Sequence, residues 1–437
     1  MSLAVPHYEL YSRQLYSLSL GAATWECSPQ DQIRRVLIGD VGYMFFGRFT
    51  PLFNVHLPAD HRFQPFAVPP HFEPLEIASS QIDFGREVEA GAYCSQSIRA
   101  LTVDGQIASA PSPHFSIASV LGGSVSFQTN KRGGAVLTLP YSAKRADGRL
   151  AQAYEGLIRD NYDSWFAHVK EMGFGVSPGG LILVTGCDVA RAWGAAVTTN
   201  DKGMASRVVQ FSPPYQDLLG VSARVEWVNE QHVMSNSGPA DENLPKLMQT
   251  ELEEGDPQWL KDLMSSGDNE CVFVRGYRMK RRGDLSYEMP TAFAEYKETT
   301  DQGDDEGTTG GLSQDDGELE LEGIGQNYED PTLWTPLLDY ILTTLDVDLA
   351  IVHDDDLIHY LKQTGCEPDP QDIAASLAQT SPECHVLDSD SVSTGVLTGQ
   401  YMQADGTFFS YMRAAWAAWQ SLQQSLHMIA VRVTGSR

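Results

Sequence analysis

The chain has few basic residues for its size. Of its 437 residues, 30 are Lys or Arg and 58 are Asp or Glu, which gives a formal charge of −28. Such a field repels nucleic acid unless positive charge is gathered on one face of the protein. The only basic cluster in the sequence is short, from Arg275 to Arg282. We therefore expect no nucleic-acid partner.

Signatures of secretion, membrane spanning and zinc binding are also missing. The six cysteines are scattered without a CxxC pair, which disfavours a tetrahedral zinc site. Several lie in or beside apolar runs, where a free thiol packs as a small hydrophobe. The sequence has no Asn-x-Ser/Thr acceptor, no run of about 18 apolar residues and no secretory signal pattern at its start. We predict a cytoplasmic protein in a reducing compartment.

Common catalytic and nucleotide-binding motifs do not occur in the sequence. There is no GxxxxGK[ST] loop, no GxGxxG between a strand and a helix, no GxSxG elbow, no HExxH and no kinase signature. We predict no cofactor, and a non-enzymatic role is favoured over an enzyme of unrecognised type.

Residues 1–297 have the pattern of one α+β domain with a large, mostly antiparallel, twisted sheet. Gly and Pro punctuate β-prone segments, and 42% of the chain is hydrophobic, enough for a packed core. Ser124–Thr129 and Gly134–Pro140 flank a turn-forming Asn-Lys-Arg-Gly and predict a hairpin. Apolar residues recur at i+3 or i+4 from Leu150 to Val169, which predicts one long amphipathic helix.

The segment from Leu181 to Gly194, LILVTGCDVARAWG, predicts two central strands separated by a polar kink. Cys187 beside Asp188 suggests a nucleophile, but a neighbouring carboxylate raises the pKa of a thiol and disfavours the thiolate. The alternative is a structural signature. In that interpretation Gly186 permits the turn, Cys187 and Trp193 pack, and Asp188 binds a backbone amide.

Residues 298–330 form an acidic, Gly-rich segment with twelve acidic residues, seven glycines and no Lys or Arg. Such a composition predicts a disordered linker. Beyond it, residues 331–437 predict a helix-rich C-terminal region. Asp354 and Asp355 follow a buried-looking strand and are candidate Mg²⁺ ligands. The alternative is that an Asp caps the helix Leu357–Lys362.

Two further segments are candidate contact surfaces. Apolar residues spaced by four and three from Phe408 to Val433 predict a heptad helix that docks on this chain, on a protein partner or on a second copy. The basic cluster has three interpretations: docking to anionic lipid, binding of the acidic linker, or a charged edge strand. Its members are Arg275, Arg278, Lys280, Arg281 and Arg282.

Several blocks of the sequence resemble a large group of uncharacterised proteins of mushroom-forming fungi. The blocks are Gly39–Tyr43 with Leu52–Asn54, then VTGCDVARAWG, CVFVRGYRMK and DLAIVHDDD. The resemblance extends over residues 8–363 and implies an intracellular fungal protein with many divergent copies. It implies no activity. Residues 370–437 lie outside it.

A shorter block, a helix leading into an LxVVTG-like strand, is similar to the membrane-permeabilising domain of gasdermin-like proteins. Those proteins also carry a cleavable linker before a helical inhibitory part, which parallels the predicted order here. The expected function is thus a non-enzymatic interaction or regulatory protein. The alternatives are a pore former that its C-terminal region inhibits, and an enzyme of unrecognised type.

Overall fold

The computed structural model of the protein describes residues 5–29, 34–103, 106–108, 114–116, 124–129, 134–198, 205–212, 224–227, 233–239, 252–284, 332–387 and 392–397. The predicted linker 298–330 and the predicted heptad helix Phe408–Val433 lie outside these residues.

Helices and strands alternate irregularly along the described residues, and the predicted α+β class is confirmed. The helices are α1 His7–Tyr16, α2 Ala151–Glu171, α3 Gln258–Met264, α4 Thr335–Thr344, α5 Asp354–Thr364 and α6 Pro370–Thr380. The strands are β1 Ala22–Ala23, β2 Asp40–Phe45, β3 Arg48–Asn54, β4 Ile82–Asp83, β5 Glu87–Val88, β6 Gly91–Cys94, β7 Ile98–Val103, β8 Gln106–Ala108, β9 His114–Ser116, β10 Ser124–Thr129, β11 Gly134–Leu139, β12 Ala143–Gly148, β13 Ile182–Ala190, β14 Trp193–Thr198, β15 Ala205–Ser212, β16 Arg224–Trp227, β17 Val233–Gly238, β18 Glu270–Arg281, β19 Leu349–His353, β20 Cys384–Leu387 and β21 Thr394–Leu397.

The largest sheet has eleven strands and is built around β13 and β18. Its main order is β20-β21-β19-β18-β13-β12-β4, with β2 and β3 added beside β13, β1 beside β18 and β5 beside β12. The pairing of β19 with β21 is parallel, and the other pairs of this sheet are antiparallel. The prediction of a large, mostly antiparallel sheet is therefore confirmed.

Residues beyond the predicted linker continue this sheet. Strand β19 pairs with β18 along Tyr277–Arg281. Successive residues of β19 alternate between two cores, as the period of a strand requires. Leu349 and Ile351 join the core that contains α2, whereas Ala350 and Val352 join a core made with α4, α5 and α6.

The long helix predicted from the apolar period is confirmed as α2. Its buried residues include Tyr154, Ile158, Trp165 and Val169, which form one face and pack in the core that includes Leu183 of the large sheet. The helix ends before Gly173, whose φ of +80° favours glycine. Burial of this face is what holds the helix to the sheet.

The predicted hairpin of Ser124–Thr129 with Gly134–Pro140 is wrong. Both segments are strands, but β10 pairs with β7 and β15, and β11 pairs with β6 and β14. The two belong to separate five-stranded sheets, in the orders β16-β15-β10-β7-β8 and β17-β14-β11-β6-β9. Consecutive strands thus occupy matching places in the two sheets. The Asn-Lys-Arg-Gly pattern therefore does not specify which strands pair with each other.

The predicted kink at Gly186–Asp188 is also wrong. These residues lie inside the nine-residue strand β13, whose pairing with β18 shifts register beside Gly186 and again after Asp188. Two such irregularities absorb the local bend without ending the strand. The chain turns at Arg191 and Ala192, and β13 and β14 belong to different sheets.

Candidate binding surface and cavity

A two-residue turn joins β2 to β3 and has φ positive at both of its residues. Phe46 has a φ of +48° and Gly47 a φ of +79°, the combination of a type I′ hairpin turn. A Cβ at Gly47 would lie 2.6 Å from the Cβ of Trp25, so only glycine fits there. Phenylalanine is a poor choice for a left-handed position, which usually takes Gly, Asn or Asp.

The tip of this hairpin is apolar, exposed and firmly held. Phe45 is 52% exposed and Phe46 is 64% exposed. The Gly47 carbonyl accepts hydrogen bonds from the backbone amides of Trp25 at 2.8 Å and Glu26 at 3.2 Å. The ring of Tyr8 meets that of Phe46 edge-on, with centroids 5.8 Å apart. The two phenylalanines therefore project from a convex turn that the N-terminal segment supports.

A row of aromatic rings continues from the tip across neighbouring parts of the chain. Tyr43 lies 6.1 Å from Phe45 and 6.0 Å from Phe174, measured between ring centroids. Phe174 in turn lies 5.2 Å from Phe66. Strand β2, the loop after β3 and the residues after α2 thus contribute to one aromatic surface.

A cavity of about 130 Å³ lies beneath this aromatic row. Pro29 and Arg34, which flank residues 30–33 outside the described part of the chain, also line it. Its aromatic lining is Tyr43, Phe45, Phe49, Phe63, Phe66 and Phe174, and its polar lining includes Glu26, Ser28, Arg48, Thr50 and Gln64. The site therefore combines apolar walls with a few polar groups, as ligand sites do.

Two buried side-chain atoms of residues that line this cavity have no hydrogen-bond partner among the described residues. They are Nε of Arg48 and Oγ1 of Thr50, and Thr50 is only 7% exposed. The Nη2 of Arg48 lies 3.6 Å from a carboxylate oxygen of Glu26. Buried polar groups are normally satisfied, and other buried atoms of the described residues, such as Oγ of Ser79, also lack a partner.

The thiols beside the cavity are packing groups. Burial raises the pKa of Cys27 and of Cys271 well above the ordinary value. The sulfur of Cys27 lies 3.3 Å from Oγ1 of Thr24, and the same hydroxyl donates to the carbonyl of Cys271. Neither cysteine offers a thiolate near neutral pH.

Cys187 and Asp188 have structural surroundings. Cys187 is fully buried, and burial raises the pKa of its thiol to about 12. Asp188 was predicted to bind a backbone amide. Its carboxylate instead accepts two hydrogen bonds from Arg145, at 2.9 and 3.0 Å, and one from Arg275 at 2.9 Å. A buried carboxylate needs such pairing because an isolated charge is costly inside a protein.

The other two signature residues also lie beside charged side chains. A Cβ on Gly186 would lie 2.1 Å from a carboxylate oxygen of Asp147 and 2.9 Å from Nε of Arg275, so a side chain there would break that pair. Trp193 is fully buried, and its indole nitrogen donates to Glu270 at 2.8 Å.

The two candidate metal ligands do not form a metal site. The carboxylate of Asp354 is fully buried and accepts hydrogen bonds from Tyr16, Gly276, Arg278 and Trp334. Asp355 contributes its backbone amide to the helix cap. In the described part of the chain, no group of three or more His, Cys, Asp or Glu is arranged to hold a metal ion.

The helix cap after β19 differs from the predicted one. The N-cap of α5 is His353 instead of an Asp, and its Nδ1 accepts a bond from the amide of Asp355 at 3.1 Å. The carboxylate of Asp356 accepts a bond from the amide of His353 at 2.9 Å, which completes a capping box.

Three members of the basic cluster are buried, which contradicts their predicted role as membrane or partner contacts. Arg275 pairs with Asp147 and Asp188, Arg278 with Asp354, and Lys280 with Asp339. Arg281 and Arg282 remain about 40% exposed: Arg281 pairs with Asp163, and Arg282 donates to the carbonyls of Leu345 and Val347. The cluster joins β18 to its neighbours.

Thr185, His353 and Asp355 approach the geometry of a catalytic triad. The Thr185 hydroxyl lies 2.8 Å from Nε2 of His353, and Nδ1 lies 3.4 Å from Asp355. Thr185, however, is only 6% exposed in the middle of β13. A nucleophile there cannot reach a substrate, so these contacts are structural.

The hairpin tip is the feature that sequence reasoning missed. The signal was present as Phe45-Phe46-Gly47 between two β-prone segments, with an aromatic residue where a tight turn favours Asn or Asp. The predicted linker and the predicted heptad helix lie outside the described residues, so both stay predictions.

Comparison with protein-family models, with curated proteins and with solved structures gives no match. The resemblances to the fungal group and to gasdermin-like proteins therefore stay predictions. No helix in the described ranges has the length and apolar character needed to cross a bilayer.

Proposed function

We propose that this protein is non-enzymatic, acts by binding, and associates with a lipid bilayer through the tip of the β2–β3 hairpin. The observation that carries the proposal is the pair of consecutive exposed phenylalanines, Phe45 and Phe46, on a braced convex turn. Two aromatic rings on such a turn form a wedge suited to the interfacial zone of a bilayer, where aromatic side chains are favoured. A protein partner would need a matching pocket.

The backbone of Phe46 supports a functional role for the tip. A non-glycine residue in a sparsely populated conformation costs about 1–3 kcal/mol and persists where the surrounding structure enforces it. Asn at position 46 would relieve that strain. Retention of phenylalanine at a φ of +48° therefore favours a purpose beyond the turn itself.

The charges of the chain favour neutral lipid over the anionic lipid predicted from the basic cluster. Arg275, Arg278 and Lys280 are committed to internal ion pairs. Arg48, next to the tip, faces Glu26. With a net charge of −28, the protein is repelled by an anionic surface. The expected target is a zwitterionic phosphatidylcholine bilayer.

Flotation of the full chain with phosphatidylcholine vesicles tests the proposal. The double variant Phe45→Ser, Phe46→Asn removes both rings, and Asn accepts the positive φ. We expect at least a tenfold loss of vesicle binding, because burial of each ring contributes about 1.5–3 kcal/mol. The matched control is Phe84→Ser, which removes another exposed phenylalanine, one that follows β4 at the β12 end of the large sheet. Equal flotation of wild type and double variant would contradict the proposal.

A second candidate function is permeabilisation of the bilayer, restrained by the residues beyond the linker, as the gasdermin-like resemblance implies. The observation that favours it is the attachment of residues 332–387 to the main sheet through β19 and Asp354. Dye release from phosphatidylcholine vesicles tests it with the wild type and with Asp354→Asn, after circular dichroism has verified the fold of the variant. Faster release by the variant supports restraint, and intact vesicles with both proteins at micromolar concentration contradict it.

A further inference from the structure

The aromatic row contains another exposed phenylalanine besides those of the hairpin tip. Phe66, in the loop after β3, is 40% exposed, and its ring centroid lies 5.2 Å from that of Phe174. Tyr43 lies 6.0 Å from Phe174 and 6.1 Å from Phe45. Phe66 and Phe45 are therefore the two ends of one row of rings. All four residues line the same cavity, which places them around a single region of the surface.

The three segments that carry these rings lack charged side chains. Residues 41–47, 63–72 and 172–180 contain no Asp, Glu, Lys or Arg, although 20% of the chain is charged. Ala67 and Gly173, in the second and third segments, are exposed. Leaving water is costly for charged groups and favourable for apolar ones. In a chain with a net charge of −28, these neighbouring segments thus form a surface suited to an apolar phase.

The backbone of the loop that carries Phe66 is held on both sides of that residue. Before it, the carbonyl of Phe63 accepts a hydrogen bond from Nε of Arg34 at 2.7 Å. After it, the carbonyl of Ala67 accepts a hydrogen bond from Nε2 of His168, in α2, at 2.9 Å. Because the loop is already ordered, contact of its exposed ring with a partner costs little further conformational entropy.

Charged residues of both signs border the three segments. Arg48 follows the first segment, Arg62 and Glu73 flank the second, and Glu171 precedes the third. A phosphatidylcholine headgroup carries a negative phosphate and a positive quaternary ammonium. A border of both signs complements such a headgroup better than a border of one sign would. The border therefore favours a zwitterionic bilayer as the partner of this surface.

We infer that Phe66 is a second residue that inserts into the bilayer, and that the three charge-free segments rest on the bilayer together with the hairpin tip. The inference rests on the proposed function and extends it from a single point of contact to a surface. Contact at both ends of the aromatic row fixes the orientation of the protein on the bilayer, which the hairpin tip alone does not do.

Flotation of the full chain with phosphatidylcholine vesicles tests this role of Phe66. Phe66→Ser removes the ring, and we expect it to bind vesicles about threefold more weakly than the wild type, or weaker still, because the exposed 40% of the residue leaves water on binding. The matched control is Phe84→Ser, since Phe84 is 36% exposed, and it should bind as the wild type does. Circular dichroism verifies the fold of both variants.

A substitution that removes no packed group gives a second measurement. Ala67→Asp adds a carboxylate beside Phe66 at an exposed position. A charged side chain is unfavourable in the apolar part of a bilayer, so we expect vesicle binding to weaken about fivefold or more. Ala78→Asp is the matched control, because it adds the same charge at an exposed alanine outside the three segments. It should bind as the wild type does.

The outcomes separate this inference from the proposed function. If the double variant Phe45→Ser, Phe46→Asn loses binding while Phe66→Ser or Ala67→Asp floats like the wild type, contact is confined to the hairpin tip and the inference is wrong. Equal losses in a variant and in its matched control also overturn the inference. Absence of flotation by the wild type overturns the proposed function and the inference together.

Discussion

The hydroxyl of Tyr16 donates a 2.8 Å hydrogen bond to the carboxylate of Asp354, which lies 338 residues later in the chain. The same carboxylate accepts bonds from the indole nitrogen of Trp334 at 3.0 Å, the amide of Gly276 at 2.7 Å and the guanidinium of Arg278 at 3.3 Å. One buried acid therefore joins α1, β18 and the residues that follow the linker.

Substitution of this acid should be strongly destabilising. In Asp354→Ala, the guanidinium of Arg278 stays buried without its counter-charge, and three further donors lose their acceptor. Breaking a buried pair from one side costs about 3–5 kcal/mol. We expect the free energy of unfolding, measured by urea denaturation, to fall by that amount.

The neighbouring acid supplies the control for this experiment. Asp355 has a side chain that is 42% exposed and lies 3.4 Å from His353. Asp355→Ala should cost less than about 1 kcal/mol, as is usual for exposed pairs. Equal losses in the two variants would show that Asp354 has no special role in joining the segments.

The sequence predicts elements of this fold better than it predicts their partners. The period from Tyr154 to Val169 specifies α2, because one helical face must be buried whatever it packs against. The turn predicted at 130–133 offers no comparable constraint, since β10 and β11 each find partners far away in the chain. Pairing depends on the register of distant strands, which a local pattern does not encode.

The burial of charged residues could not be predicted from the sequence either. A strand with Arg275, Arg278 and Lys280 resembles a solvated edge when read alone. Its counter-charges lie 128, 87 and 76 residues from their arginines. Only the assembled sheet brings Asp147, Asp188 and Asp354 to those arginines. The hairpin tip, in contrast, could have been found from the sequence, because two phenylalanines are unusual at a position where a tight turn favours Asn, Asp or Gly.

Thiol labelling distinguishes packing cysteines from a reactive one. Burial raises the pKa of Cys187 to about 12 and that of Cys94 to about 12. Cys366 and Cys384 are partly exposed. In the native protein at pH 8, iodoacetamide should modify Cys366 and Cys384 first, and the other four only after urea is added. Mass spectrometry of tryptic peptides measures this order. Rapid native labelling of Cys187 would restore it as a candidate nucleophile.

Two buried threonines should differ in their effect on stability when each is replaced by valine. Thr50→Val removes a hydroxyl that has no partner among the described residues, so the free energy of unfolding should stay unchanged or rise by about 1 kcal/mol. Thr138→Val leaves the Gly194 carbonyl without its 3.0 Å bond and should cost about 1 kcal/mol or more. Urea denaturation measures both changes in the free energy of unfolding. A clear loss in Thr50→Val would mean that its hydroxyl is satisfied in solution.

The carboxyl of Asp356 should make stability fall as pH rises towards neutrality. Burial raises its pKa from 3.8 to about 6, so the fold favours the protonated acid. That contribution is complete below pH 3.8 and lost as pH passes 6. Asp356→Asn keeps an acceptor for the His353 amide but cannot ionise. Urea denaturation at several pH values measures this effect. Between pH 5 and 7.5, the free energy of unfolding of the wild type should fall by about 1 kcal/mol more than that of the variant. The pKa of His353 is raised chiefly by Asp355, which both proteins retain, and to a smaller extent by Asp354 and by Asp356 itself. Both effects of the Asp356 carboxylate make the wild type lose more stability as pH rises, so parallel curves would contradict the assignment to Asp356.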